Sequence, residues 1–355
     1  SCSTLQTTPL TSDIENWHLP SAIPSFAKER PTIIGADEIY RLSKEQQNAF
    51  LKYYRDSENQ EVPGNERIVH YLSKKARTFV YNPATRTANE VFLFTGGNCL
   101  SLANATTALA RLVNVRVTYQ YMEDLPIFEK MDNIIFRGAH VRSVLSFPTS
   151  HLDEHTSKGT TILNANPSRV VVDYFANGKS RYVSNISEQE FTAMYYRNLA
   201  ADAMAEENYS RTYWLIEESM IHAPDHPDAL NMLAILYRRT GDEQNAELVY
   251  RYGINKSNEK LSLLKNYRTL LKRQGRINEA RGITRRIAKF EDADPFEWWS
   301  LAEGAYSEEN YSDALMYYKK SVEIAPYLHE GYFGIAKTYY QLGRLDSAET
   351  AMASA

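Results

Sequence analysis

One cysteine of this chain stands where the surrounding sequence could make a thiol reactive. Cys99 is one of only two cysteines in 355 residues, and it follows Gly96 and Gly97 at the predicted start of a helix over residues 98–113. The partial positive charge at a helix N-terminus favours thiolate over thiol, and the two glycines would leave room for a substrate backbone. Helical spacing places the cysteine on an inward face with Leu102, Leu109 and Val113. An ordinary buried cysteine is therefore the alternative interpretation.

Two later segments complete a possible catalytic set by resemblance to a known family. Residues 95–115 resemble the nucleophile helix of the bacterial transglutaminase-like superfamily, whose arrangement is papain-like. In that superfamily a cysteine heads a helix, and a histidine and an aspartate follow on successive strands of a small sheet. Residues 137–144 are similar to the histidine strand, and residues 169–175 are similar to the aspartate strand. The resemblance implies a triad spaced by 41 and 33 residues: Cys99, His140 and Asp173.

This resemblance covers roughly residues 65–190 and implies a reaction. His140 would form an ion pair with Cys99, and Asp173 would orient the imidazole. The implied chemistry is acyl transfer at an amide, with the thioester resolved by water or by an amine. Hydrolysis is favoured over cross-linking because no second amine site is evident. Many members of that superfamily carry tryptophan after the cysteine and after the histidine, where this chain has Leu100 and Arg142. This difference leaves the identity of the substrate open.

The C-terminal half repeats with a period of 34 residues. The repeating turn position is occupied by Glu207, Gly241, Gly275, Glu309 and Gly343. Small residues recur at fixed distances on either side of it, where two helices would cross closely, and the turn itself predicts left-handed backbone. The pattern resembles the tetratricopeptide repeat and covers residues 193–355 in five units, the last one incomplete. The resemblance implies helix pairs stacked into a superhelix with a concave groove.

The first helix of each pair would line that groove and contact a protein or peptide partner. The positions carried over from the family are Asn231, Arg238, Lys265, Lys272, Trp299, Tyr306, Phe333 and Tyr340. Packing between repeats is the alternative role for the aromatic members. The third unit departs from the pattern, because Arg268 occupies a position where a small residue is expected.

The sequence thus divides into three segments. Residues 1–35 are polar and punctuated by prolines, which predicts a tether. Residues 36–190 place helices before strands and predict an α+β papain/transglutaminase-like domain, beginning with a capping box at Ser43 and Gln46. Residues 191–355 predict an all-α tetratricopeptide-repeat solenoid.

The other cysteine suggests attachment to a membrane. Cys2 is flanked by Ser1 and Ser3 and resembles the cleavage site of bacterial lipoproteins, whose cysteine becomes the lipid-bearing N-terminus. A serine rather than an aspartate after the cysteine implies the outer membrane and a periplasmic location. An incidental cysteine at an arbitrary chain start is the alternative.

Composition excludes several classes of protein. The 40 Lys+Arg and 44 Asp+Glu give a net charge of −4 without dense runs of one sign, so no nucleic-acid surface is indicated. No apolar stretch approaches the roughly 18 residues of a spanning helix, so membrane contact is expected through the lipid alone. Two distant cysteines exclude a disulfide scaffold and a thiolate zinc site, and no metal or cofactor is expected. Two functions stay open: a cysteine hydrolase or acyltransferase acting on an envelope protein, and a non-catalytic protein-binding scaffold.

Overall fold

A computed structural model describes residues 18–355, apart from Arg77 and residues 125–138, 147–168, 175–179, 258–260, 288–289 and 291–294. The chain divides into two compact units, Ile23–Pro224 and Asp225–Ala355. The first unit includes residues that the sequence assigns to the first repeat. The predicted domain boundary at 190/191 stays a prediction, and Cys2 lies outside the described residues.

In the first unit, helices precede the strands of the main sheet. They are α1 (Ala36–Ile39), α2 (Lys44–Arg55), α3 (Gly64–Ala76), α4 (Ala88–Phe94) and α5 (Cys99–Leu112). The predicted capping box opens α2: Ser43 Oγ accepts from the Gln46 amide at 3.2 Å, and the Gln46 side chain accepts from the Ser43 amide at 3.0 Å. A second capping box, Thr87 with Glu90, opens α4.

Two sheets accompany these helices. The short strands β1 (Val80–Tyr81) and β2 (Gly96–Gly97) pair in parallel just before α5. The larger sheet has the order β5-β4-β3-β6, and all its pairings are antiparallel. Its strands are β3 (Arg116–Asp124), β4 (Ala139–Ser146), β5 (Val170–Val172) and β6 (Ser180–Ile186). The chain then continues into α6 (Glu188–Ala205) and α7 (Tyr209–His222), which pack together in the same unit.

Helix α5 is the centre of this unit. It contacts α2, α3, α4, β3 and β4, so its residues 100–110 are buried except for Leu102. The sequence-based expectation of one inward face with Leu102 and Val113 is wrong, because both residues are only half-buried. Small residues such as Ala103 and Ala108 allow neighbours to approach from every side.

The second unit is a series of antiparallel helix pairs. Its helices are α8 (Pro227–Arg239), α9 (Glu243–Lys256), α10 (Leu261–Arg273), α11 (Ile277–Ile287), α12 (Pro295–Ser307), α13 (Tyr311–Ile324), α14 (His329–Gln341) and α15 (Leu345–Ala353). The predicted left-handed turns are confirmed, with φ of 58° at Glu207 and Glu309 and 71–83° at the three glycines. The next residue often caps the second helix, as Asp242 does by accepting from the Asn245 amide at 3.0 Å.

The unusual Arg268 of the third repeat has an electrostatic partner. Its side chain is 15% exposed and lies 3.7 Å from Glu297 of α12, which also pairs with Lys265. Burial lowers the pKa of the Arg268 guanidinium, and the Glu297 carboxylate opposes that effect. The space that a small residue would leave in this repeat is therefore occupied by an ion pair between neighbouring repeats.

Candidate functional site

The N-terminus of α5 is held by the loop that precedes it. Asn98 caps the helix by accepting from the Ser101 amide at 3.0 Å. Its side-chain amide donates to Thr85 Oγ1 at 2.7 Å and to the Pro83 carbonyl at 3.1 Å. Cys99 is therefore the first residue of a helix whose end is fixed by buried hydrogen bonds.

The two glycines before the helix serve packing rather than substrate access. A Cβ atom added at Gly96 would lie 2.7 Å from the Asn82 side-chain nitrogen and 2.8 Å from the Val80 carbonyl oxygen. One added at Gly97 would lie 2.6 Å from Ser101 Cβ. The expectation that these glycines leave room for a substrate is wrong, because the chain itself fills that space.

Five influences act on the half-buried Cys99 thiol. Burial, the largest of them, raises the pKa, and the nearby Asp173 carboxylate raises it further. Hydrogen bonds from the backbone amides of Val141, Leu100 and Cys99 itself lower it. The net effect is a raised pKa. The helix N-terminus stabilises the thiolate as predicted, but it does not outweigh burial.

The predicted triad residues come from neighbouring elements. The Val141 amide that reaches the Cys99 sulfur belongs to the residue directly after His140, whose backbone pairs with Met122 across β3 and β4. Asp173 directly follows β5, which pairs with β4 through Ser143 and Val172. Asp173 thus lies at the end of β5 beside the strand that carries His140, and its carboxylate acts electrostatically on Cys99. The catalytic roles of the three residues stay a prediction.

The two positions where the transglutaminase-like pattern predicts tryptophan, Leu100 and Arg142, have other environments here. Leu100 is buried in the core. Arg142 donates from Nε to Gln120 Oε1 at 2.7 Å, and Gln120 donates to Asn185 Oδ1 at 3.3 Å. Arg142 thus belongs to a polar row across β4, β3 and β6.

Sequence reasoning missed Tyr174, the neighbour of Asp173. Its hydroxyl lies 2.7 Å from Thr106 Oγ1 of α5 and 2.9 Å from Ser143 Oγ of β4. No local pattern marks it, because its partners are 68 and 31 residues away in the sequence. Pairing of the predicted aspartate strand with the histidine strand is the only signal that could have suggested it.

The predicted groove positions divide into bonded and projecting groups. Asn231 accepts from Asn266 at 2.9 Å, Lys265 pairs with Glu297, and Tyr306 lies under the Lys337 ammonium at 4.4 Å. These three contribute contacts within the array. Arg238 and Trp299 are half-buried. The projecting members are Lys272, which is exposed, Phe333, which is 51% exposed, and Tyr340, which is 66% exposed.

Comparisons with known proteins match part of the chain. A tetratricopeptide-repeat family profile matches residues 329–355, which contain α14 and α15. Solved structures with helical similarity include PilF of Pseudomonas aeruginosa (16% identity, 47% of this chain, 77% of that chain, TM-score 0.38). MamA of Desulfovibrio magneticus RS-1 is another (14% identity, 47% and 93% coverage, TM-score 0.34). No curated protein sequence matches. The C-terminal half is thus a helical repeat solenoid resembling tetratricopeptide-repeat proteins, a type of protein-interaction module.

Two further observations apply to the described residues alone. None of their helices combines the length and apolar character needed to cross a bilayer. No group of three or more His, Cys, Asp or Glu side chains among them could hold a metal ion.

Proposed function

We propose that this protein is a cysteine-dependent hydrolase or acyltransferase that acts on amides of a protein bound by its repeats. The observation that supports the proposal is the placement of the three residues: Cys99 begins α5, and Asp173 directly follows β5, which pairs with the strand that carries His140. In this proposal Cys99 is the nucleophile, His140 is the general base and acid, and Asp173 orients the imidazole.

The reaction proceeds in two stages. His140 accepts the proton of Cys99 Sγ as the sulfur bonds to the amide carbonyl carbon, and the Cys99 amide is a hydrogen-bond donor for the resulting oxyanion. Collapse breaks the C–N bond, and the imidazolium gives its proton to the departing amine. Water, deprotonated by His140, then attacks the thioester and releases the acid together with the thiol. An amine in place of water gives a new amide.

The repeats supply recognition in this scheme. Lys272, Phe333 and Tyr340 project from the first helices of their pairs and are free to contact a protein or peptide. A photoreactive amino acid at position 340 should cross-link to the partner, whereas the same group at exposed Glu349 of the second helix α15 should not. Cross-linking at both positions alike would contradict a groove on the first helices.

The location rests on the N-terminal segment. A lipid on Cys2 and the tether of residues 1–35 would hold the protein at the outer membrane, facing the periplasm. Metabolic labelling with a fatty-acid analogue should mark the wild-type protein and not Cys2→Ser.

Alkylation of a single thiol tests the catalytic proposal. Cys2→Ser leaves Cys99 as the only cysteine of the full chain. At pH 6 the folded protein should react with iodoacetamide about ten times faster than the urea-unfolded chain, since the gain in thiolate exceeds the loss of intrinsic nucleophilicity. The control is His140→Ala. Without the imidazolium, burial and Asp173 keep the Cys99 pKa raised, so this variant should react more slowly than the unfolded chain.

A non-catalytic scaffold is the second candidate, and one observation favours it. The raised pKa of the Cys99 thiol describes a neutral, unreactive group as long as no cation stands beside it. If wild type and His140→Ala are alkylated equally slowly, the ion pair does not exist and the scaffold function is the correct one.

A further inference from the structure

Tyr174 joins the three elements that carry the predicted triad. Its hydroxyl contacts Thr106 of α5, the helix headed by Cys99, and Ser143 of β4, three residues after His140. Its backbone follows Asp173 directly. Thr106 and Ser143 are both fully buried, so these hydrogen bonds are shielded from water.

The direction of these hydrogen bonds follows from proton counting. Thr106 Oγ1 lies 2.8 Å from the Leu102 carbonyl, which can only accept, so the Thr106 proton is committed there. Thr106 must therefore accept from Tyr174, whose hydroxyl is also placed to donate to Ser143. The single phenolic proton thus links β4 and the middle of α5 through Tyr174.

This link needs a neutral phenol at its centre. Burial raises the pKa of the Tyr174 hydroxyl. The hydrogen bonds with Ser143 and Thr106 lower this pKa, and the nearby Cys99 and Asp173 raise it further, so the net effect is a raised pKa. The hydroxyl therefore keeps its proton throughout the physiological range, and the donor to Thr106 is permanent.

We propose that Tyr174 is a positioning residue that holds Asp173 against the Cys99–His140 pair. The inference rests on the proposed function, since it assigns Tyr174 an effect on the same ion pair. Tyr174 touches none of the reacting atoms in this scheme. It acts through Asp173, by fixing the backbone at the end of β5 to both of the other elements.

The test is a pH profile of Cys99 alkylation in the full chain carrying Cys2→Ser. The readout is the rate at pH 6.5 divided by the rate at pH 10, where a larger share of the thiol is ionised in every variant. Tyr174→Phe should lower this ratio about fivefold, while the rate at pH 10 stays within about twofold of wild type. Asp173→Asn should lower the ratio similarly, and Tyr174→Phe should cause no further fall in the Asp173→Asn background.

Two further variants separate positioning from general stability. Thr106→Val breaks the same link from the helix side and should reproduce the fall, which keeps the test open if Tyr174→Phe folds poorly. Tyr119→Phe is the matched control: Tyr119 of β3 is buried and its hydroxyl lies 2.8 Å from Thr107 of the same helix, but its strand is not the one that Asp173 follows. Its ratio should equal that of wild type.

The outcomes distinguish the two proposals. An unchanged ratio in Tyr174→Phe, or an additional fall in the Asp173→Asn background, overturns the positioning role and leaves the catalytic proposal standing. A fall of equal size in Tyr119→Phe also overturns it, since any buried hydroxyl would then do the same. A wild-type ratio no higher than that of the urea-unfolded chain overturns the catalytic proposal, and the positioning role falls with it.

Discussion

Substitution of Gly97 by alanine tests whether packing of the chain itself fixes the end of α5. Gly97 has φ of 151°, a conformation that L-residues rarely adopt, and its new Cβ would lie 2.6 Å from Ser101 Cβ and 2.8 Å from Ser101 Oγ. Ser101 cannot retreat freely, because its hydroxyl accepts from the Arg86 amide at 2.9 Å and donates to the Ala84 carbonyl at 3.1 Å. Either the backbone or this bonded side chain must move.

The expected cost combines two effects. Backbone strain at such a position costs about 1–3 kcal/mol, and overpacking of a buried site costs about 1–3 kcal/mol. Gly97→Ala should therefore destabilise α5 by about 2–6 kcal/mol, which raises the opening equilibrium of the helix about 30-fold or more. Because the protein has two compact units, a local measurement is required.

Hydrogen–deuterium exchange of residues 99–112 provides that measurement, since protection of α5 reports its local opening free energy. The matched control is Gly35→Ala in the same unit. Gly35 has φ of −72°, and nothing lies within 4 Å of an added Cβ. Its effect should stay within about 0.5 kcal/mol. If Gly97→Ala changes the exchange of α5 no more than this control, the close packing inferred at β2 is wrong.

Two other predictions concern the repeat half. Gly241→Ala should destabilise the array by about 1 kcal/mol, because φ at Gly241 is 83°. Glu309→Gly should stabilise it by about 0.5 kcal/mol, because a glutamate there occupies a left-handed turn with φ of 58°. Changes of opposite sign in the unfolding free energy, measured by urea denaturation, would confirm both predictions, and changes of equal sign would contradict them. Glu247 is the second site: burial raises its pKa, but hydrogen bonds from Arg276 and other donors outweigh burial and lower it below 4.5. This contribution, about 1 kcal/mol, is present above the unfolded pKa and disappears as pH falls through the lower folded value, so wild type should lose its advantage over Glu247→Gln as the pH falls below 4.5. A constant difference across that range would show that the ion pair does not stabilise the fold.

The sequence could predict the turns of the repeats because they depend on local conformation. A left-handed turn needs a residue that tolerates positive φ, and Gly241, Gly275 and Gly343 signal it directly. The glutamates at 207 and 309 were found only through the period of 34, since their residue type alone does not favour that conformation. The start of α5 after Gly97 was predictable to within one residue for the same local reason.

The surroundings of α5 could not be predicted in this way. Its burial on all sides depends on contacts with β3 and β4, which follow it in the chain, and no periodicity within residues 98–113 carries that information. The role of Gly96 and Gly97 could not be predicted for the same reason. Their residue type indicates that a side chain is excluded, but whether a substrate or Ser101 occupies the space depends on tertiary packing.

The electrostatics of Cys99 unite these observations. A helix N-terminus was the sequence-based reason to expect a thiolate, and the amides of Leu100 and Cys99 do lower the pKa as expected. The all-round packing that buries α5 also removes water from the sulfur, and that effect is larger. A buried site strengthens any ion pair formed in it, because charges attract more strongly where the effective dielectric constant is low. In the proposed function, the attraction of an imidazolium on β4 must outweigh the loss of hydration of both ions, so the reactivity of Cys99 would depend on that cation rather than on the helix alone.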